Sequence, residues 1–242
     1  MRRIVIVGAT SGIGMEIAKS YIKNGCLVGV AGRREELLAE LQAIDPDRVF
    51  VGRLDVTDEE APSALLGLVD KMGGMDLFIL CSGIGSQNYD LDPEIELRTA
   101  RTNTEGFMRM TSAAFNYFKV KGAGHIAVIS SIAGTKGLGV APAYSATKRF
   151  QSTYIDALSQ LARLKKLHIR FTDIRPGFVN TPLLSKGNYP MLMNAGTVAR
   201  KIVKAVDRGK RRVIIDGRYR LLVFFWRLVP MWLWERLPIR YS

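Results

Sequence analysis

The sequence predicts a doubly wound α/β fold: a parallel seven-stranded sheet with helices on both faces and a helical tail at the C-terminal end. Three observations carry this. Short β-branched runs alternate with helical patterns along the chain. The runs are apolar throughout rather than alternating, as strands covered on both faces must be. The first run opens through a glycine-rich turn into a helix, the βα corner from which such sheets are built.

In order, Arg3–Val7 is read as a strand, followed by a helix over Gly12–Asn24. Leu27–Ala31 is the second strand and Arg34–Ile44 a charged helix. Val49–Leu54 is the third strand, followed by a helix through Ala64–Lys71. Leu77–Cys81 is the fourth strand, and Glu94–Lys119 reads as one long helical region. Ile126–Ser130 is the fifth strand and Ala143–Leu164 a helix. Ile169–Ile174, a helix at Thr197–Asp207 and a last strand at Arg212–Ile215 complete the pattern. The 242 residues suit one sizeable core. We expect one catalytic domain over residues 1–216 and a basic amphipathic tail over 217–242 that is no domain of its own.

Composition narrows the function. Hydrophobic residues make up 48% and charged residues 24%, an ordinary globular balance. The net charge is +13, and residues 200–242 hold 12 Lys+Arg against 3 Asp+Glu, so the excess is mostly C-terminal. No nucleic-acid motif accompanies it, and no nucleic-acid partner is expected. Cys26 and Cys81 lack metal-ligand spacing and only His125 and His168 supply imidazoles, so no metal site and no disulfide framework are expected. The N-terminal apolar run is too short for a signal peptide and no stretch reaches a membrane span, which points to the cytoplasm.

Gly8-Ala9-Thr10-Ser11-Gly12-Ile13-Gly14 follows the first strand. Glycines let backbone approach a ligand with no Cβ in the way. The helix that opens here can hold a pyrophosphate on its free N–H groups and positive dipole end. Gly8, Thr10, Ser11, Gly12, Ile13 and Gly14 are therefore candidate cofactor contacts. Tyr144 and Lys148 lie four apart near a helix start and project from one face. Ser131 stands thirteen residues before the tyrosine, just past a strand. A nearby ammonium lowers a phenol's pKa from about 10 toward working pH, which suits a general acid or base.

The spacing Gly8-x-x-x-Gly12-x-Gly14, with Asp55-Val56, Gly83-Ile84-Gly85, Asn103, Ser131, Tyr144-x-x-x-Lys148 and Pro176-Gly177 in that order, resembles the short-chain dehydrogenase/reductase family, in its shorter type. The resemblance runs from Arg2 to about Ile215. It implies a Rossmann-type fold and an oxidoreductase that interconverts a carbonyl and an alcohol. It implies catalytic roles for Asn103, Ser131, Tyr144 and Lys148, with Asn103 holding a water of a proton relay and Lys148 also holding the nicotinamide ribose. Asp55 and Val56 would flank the adenine, although Asp55 equally fits a helix cap or loop acid. Gly83 would approach the cofactor ribose. Pro176, Gly177, Val179 and Thr181 would face the nicotinamide. Leu80-Cys81-Ser82-Gly83 departs from the family's Asn-Asn-Ala-Gly, so no side-chain role is carried to Cys81.

At the end of the second strand, Ala31-Gly32-Arg33-Arg34 has glycine where an NAD-preferring relative has an acid. Arg33 and Arg34 can receive a 2′-phosphate, so the expected cofactor is NADP(H). The substrate-side segments Pro182-Leu183-Leu184 and Tyr189-Pro190-Met191-Leu192-Met193 are apolar. We therefore expect a reductase of an apolar ketone or aldehyde, the alternative being an NADP(H)-binding regulatory or membrane-tethered protein with an idle site. Relatives pair through the helices that here begin near Glu94 and Ala143, which implies a homodimer. Leu221–Leu237 mixes Trp, Phe and Leu with Arg. Peripheral membrane attachment, a dimer contact and a cap over the substrate cleft all fit it, and the expectation is the membrane surface.

Overall fold

A computed structural model describes residues 1–184 and 187–239; Arg240–Ser242, the end of the expected tail, lie outside the described residues. Seven parallel strands form the main sheet: β1 (Arg3–Val7), β2 (Leu27–Gly32), β3 (Val49–Arg53), β4 (Leu77–Leu80), β5 (Ala123–Ile129), β6 (His168–Arg175) and, skipping a short pair described below, β9 (Arg212–Ile214). Their order is β3-β2-β1-β4-β5-β6-β9. The chain leaves β1 toward β2 on one side and returns to β4 on the other. β1 and β4 therefore flank a crevice beyond their C-terminal ends, where ligands of open α/β sheets bind.

Helices α1 (Gly12–Lys23), α2 (Glu35–Ile44) and α7 (Ala195–Asp207) cover one face, with Ile17, Leu38 and Ile202 buried on Ile4, Ile6 and Val28. Helices α3 (Ala61–Lys71), α5 (Phe107–Lys121) and α6 (Pro142–Leu164) cover the other, with Leu65, Phe118 and Ile155 on Val5, Phe78 and Val128. Both faces of β1 are thus sealed, which is why its residues from Ile4 to Val7 are all apolar.

Two features differ from the sequence reading, and the tail is helical as expected. The long helical region is divided: α4 (Pro93–Ala100) passes through a π turn, Arg101–Gly106, into α5. Asp92 starts α4 by accepting from the Glu94 N–H at 2.8 Å. A short parallel pair, β7 (Val179–Asn180) and β8 (Met193–Asn194), brackets the substrate-side loop. The tail forms α8 (Gly217–Leu228) and α9 (Met231–Trp234), separated by Pro230. No helix among the described residues is long and apolar enough to cross a membrane.

Candidate active site

A cavity of about 1120 Å³ opens at the crevice beyond β1 and β4. Every residue expected in the site lines it except Asn103, which is wholly buried behind it. The glycine turn forms one end. The Gly8 and Ala9 N–H groups both donate to the Ala31 carbonyl, at 2.9 and 3.1 Å, tying the turn to β2. A Cβ on Gly14 would stand 2.1 Å from the Gly8 carbonyl oxygen, and one on Gly8 would stand 2.6 Å from the Ser82 nitrogen. Backbone fills that space, so no side chain fits. Ser11 starts α1 without a side-chain cap and no acid lies in the first turn. First-turn donors and the positive end of the helix thus remain for an anionic ligand. This cradle fits a dinucleotide pyrophosphate.

The two arginines after β2 take different positions. Arg34 is turned back onto the cradle, its Nη2 donating to Thr10 Oγ1 at 2.9 Å and to the Thr10 carbonyl at 3.1 Å. Arg33 reaches outward with its side chain 71% exposed, and its guanidinium lies 3.6 Å from Asp55. Asp55 Oδ1 also accepts from the Thr57 N–H at 3.0 Å and its hydroxyl at 2.9 Å. Burial alone would raise the Asp55 pKa, but the Thr57 bonds and Arg33 hold it below the usual value. Asp55 is thus both a loop-forming acid and a group on the cavity wall.

Ser131, Tyr144 and Lys148 meet on the cavity wall. Ser131 opens a single 3₁₀ turn, Ile132–Thr135, and its Oγ accepts from the Ala133 N–H at 3.0 Å. Tyr144 is one turn before Lys148 on α6. Gly85 admits the phenol, since a Cβ there would stand 2.6 Å from the ring. The Lys148 ammonium lies 5.7 Å over the Tyr144 ring centroid, donating to the Ile129 carbonyl at 3.0 Å and to Gln151 Oε1 at 3.1 Å. The expected lowering of the phenol is not what this geometry gives. Burial raises the Tyr144 pKa, and the bond with Ser131 only partly offsets it. The ammonium sits over the ring and is held from below by the carbonyl and the amide. Burial also lowers Lys148 to about 8, against the pull of Asp173 and Cys81. Cys81 itself is raised by burial to about 12, so its thiol stays protonated.

Asn103 lies in the π turn. Its side chain braces the Gly83 loop, Oδ1 accepting from the Ile84 N–H at 2.9 Å and Nδ2 donating to the Ile84 carbonyl at 2.7 Å. Its backbone carbonyl accepts from Gln151 Nε2 at 2.9 Å. The sequence reading had not singled out Gln151. A signal existed: Tyr144, Lys148, Gln151 and Ser152 fall on one helical face, a polar stripe where a core-facing stripe should be apolar.

The tail also reaches the site. Tyr219, Leu222 and Trp226 of α8 line the cavity. Tyr219 lies against Gly177, where a Cβ would stand 2.3 Å from the ring. Its hydroxyl accepts from the Phe178 N–H at 3.1 Å and donates to the Pro190 carbonyl at 2.9 Å, joining the Pro176-Gly177 segment to the substrate-side loop. Trp234 Nε1 donates to the Gly137 carbonyl at 2.7 Å, and Lys136 Nζ to the Val229 carbonyl at 2.6 Å. These bonds fasten the tail beside Ser131. The inner side of the tail is therefore a wall of the cleft.

Comparison with known proteins agrees with this architecture. The model of the short chain dehydrogenase family matches residues 2–190. An uncharacterized oxidoreductase of Mycobacterium tuberculosis is 32% identical, covering 88% of each chain. Among solved structures, an alcohol dehydrogenase of Thermococcus sibiricus, complexed with 5-hydroxy-NADP, superposes with a TM-score of 0.77 at 22% identity, covering 89% of this chain and 96% of that one. A 3-ketoacyl-(acyl-carrier-protein) reductase of Brucella melitensis, complexed with NADH, gives 0.78 at 24% identity, covering 89% and 97%. A seven-stranded parallel sheet of this order, the family match across most of the chain and a relative at 32% identity lead to one conclusion: the chain belongs to the short-chain dehydrogenase family of oxidoreductases.

Proposed function

We propose that the protein is an NADP(H)-dependent reductase of an apolar ketone or aldehyde, with residues 1–216 as its catalytic domain. The observation that carries this is the convergence of Ser131, Tyr144 and Lys148 on the same cavity as the glycine turn. The turn at Gly8–Gly14 would hold the pyrophosphate, Arg33 the 2′-phosphate, Val56 and Asp55 the adenine, and Lys148 the nicotinamide ribose. Pro176, Gly177, Val179 and Thr181 would face the nicotinamide. When bound, the cofactor supplies hydride. The chain supplies control of the proton. The Tyr144 phenol, kept protonated by burial, gives its proton to the carbonyl oxygen of the substrate. The Ser131 hydroxyl donates to the same oxygen as negative charge develops on it. The Lys148 ammonium offsets the phenolate left behind.

Leu138, Val140, Met191, Leu222 and Trp226 line the substrate end of the cavity and favour a lipophilic substrate. The test is NADPH consumption against ketones graded from short and polar to long-chain, with Tyr144→Phe as control. Turnover that rises with chain length and vanishes in the variant is expected. Normal turnover by the phenylalanine variant would overturn the mechanism, and activity confined to short polar carbonyls would overturn the substrate class.

The same reading includes a membrane surface as partner. Helix α8 is apolar on two opposite sides. Tyr219, Leu222, Val223 and Trp226 pack inward, whereas Leu221, Phe224, Phe225 and Leu228 form an outward stripe that is 56–64% exposed. Met231 and Trp232 extend that stripe. A helix with apolar residues on two opposite sides has a second apolar side to cover. Residues 217–242 hold five Arg and one Glu, so a self-complementary dimer contact here would set like charges together, whereas anionic lipid complements them. A dimer through α4–α5 and α6, as in relatives, leaves this stripe free. Phe224→Glu with Phe225→Glu should abolish co-sedimentation with phosphatidylserine vesicles and leave the solution mass unchanged. Unaltered sedimentation, or a halved mass, would refute the lipid assignment.

A further inference from the structure

Helix α6 buries polar side chains on the side facing the site: Ser145, Thr147, Lys148, Gln151 and Ser152. Proton transfer through Tyr144 and Lys148 accounts for one of them. Gln151 is 1% exposed and does not line the cavity, so it touches no substrate. Both ends of its amide are nevertheless engaged. Oε1 accepts from Lys148 Nζ at 3.1 Å and Nε2 donates to the Asn103 carbonyl at 2.9 Å. An ammonium only donates and a carbonyl only accepts, so a single orientation of the amide satisfies both. The carbonyl is within reach because the π turn at Arg101–Gly106 takes it out of the α-helical register.

We propose that Gln151 is a positioning residue for proton transfer, an amide bridge that holds the Lys148 ammonium beside Tyr144 and anchors it to the π turn. This inference rests on the role assigned to Lys148 above. A side chain of the protein then supports the ammonium from the Asn103 side. The groups that face Lys148 are Tyr144 on its own helix, Cys81 beyond β4 and Asp173 on β6. Only Asp173 among these is an acid, and it is already engaged by Ser130 and by Arg175 at 2.7 Å. Gln151 is therefore the side-chain acceptor bonded directly to the ammonium.

The bridge makes a signed prediction. In Gln151→Leu the protonated form of Lys148 loses its acceptor, so Lys148 should titrate about one unit lower. In Gln151→Glu a carboxylate faces the ammonium, so Lys148 should titrate about one unit higher. The titration is followed in the cofactor-free protein by the ¹³Cε resonance of labelled lysine, assigned by its loss in Lys148→Met. The alkaline limb of kcat for reduction should move in the same two directions, with KM for NADPH changed less than kcat. Opposite shifts establish the bridge. Shifts under about 0.3 unit in both variants, or an equal loss of rate at every pH, would reduce Gln151 to packing and overturn the inference. If the leucine variant does not fold, the glutamate variant decides alone: an upward shift supports the bridge and none refutes it. Full activity of Lys148→Met would instead refute the mechanism on which the inference rests.

Discussion

Replacement of Arg33 is expected to weaken any preference for NADPH without damage to the phosphate cradle. The Arg33 side chain is 71% exposed and its ion pair with Asp55, at 3.6 Å, is loose. An exposed pair of this kind is worth about 0–1 kcal/mol, so a 2′-phosphate can draw the guanidinium away at little cost. A charge-assisted hydrogen bond to phosphate contributes about 1.5–3 kcal/mol, and exposure places this one at the lower end. Loss of about 1.5 kcal/mol lowers the NADPH-to-NADH ratio of kcat/KM by about tenfold in Arg33→Ala. The control is Arg34→Ala. Arg34 holds the hydroxyl and carbonyl of Thr10 within the glycine turn, so its loss should weaken both cofactors alike. Steady-state kinetics with each cofactor on one ketone measures both ratios. An Arg33→Ala ratio within about threefold of the parent, or a larger change in Arg34→Ala, would refute this division of labour.

Three further outcomes follow from the same geometry. Gly14→Ala places a Cβ 2.1 Å from the Gly8 carbonyl oxygen, so it should cost about 1–3 kcal/mol in chemical denaturation and abolish saturable NADPH binding by calorimetry. Lys148 holds its proton below about pH 8 and loses it above, so kcat for carbonyl reduction should fall as pH rises through about 8, in rates measured from pH 6 to 10. Lys148→Met should gain stability relative to the parent as pH falls from about 10 to about 8 and then level off, as read from thermal unfolding of both proteins across that range.

The sheet was legible because its strands are buried on both faces. Ile4–Val7, Val28–Ala31 and Leu77–Leu80 have to be apolar at every position, and that pattern survives without tertiary information. The glycine turn was legible because backbone crowding at Gly8 and Gly14 admits no other residue. The π turn was not. It is a change of register by one residue, and Arg101–Gly106 has the polarity of an ordinary helix between Glu94 and Lys119. Gln151 was invisible for a related reason: its partners lie 3 and 48 positions away, and the carbonyl it caps lies in that π turn. The two-sided character of α8 was half legible. Its aromatic and basic composition marked a surface, but only packing separates Tyr219 and Trp226, on the cleft, from Phe224 and Phe225, outside it.

The buried lysine is where function and stability oppose each other most directly. An ammonium removed from water is disfavoured, and the fall of Lys148 from 10.5 to about 8 measures that cost. The sign is that of a depressed base. Above 10.5 the lysine is neutral whether folded or unfolded and folding costs nothing through it; below about 8 it is charged in both, and the folded state bears the full penalty, about 3 kcal/mol. At neutral pH the fold therefore carries the charge at a loss that the apolar packing of Ile155 and Leu158 elsewhere on the same helix offsets. Ile129, Gln151 and Asp173 limit the loss by supplying two acceptors and a distant negative charge. A helix under no demand but packing would place a methionine or leucine at this position. On the mechanism proposed, the lysine and the polar stripe that supports it are stability given up to keep a positive charge beside Tyr144, which is why the stabilising substitution and the inactivating one are expected to be the same.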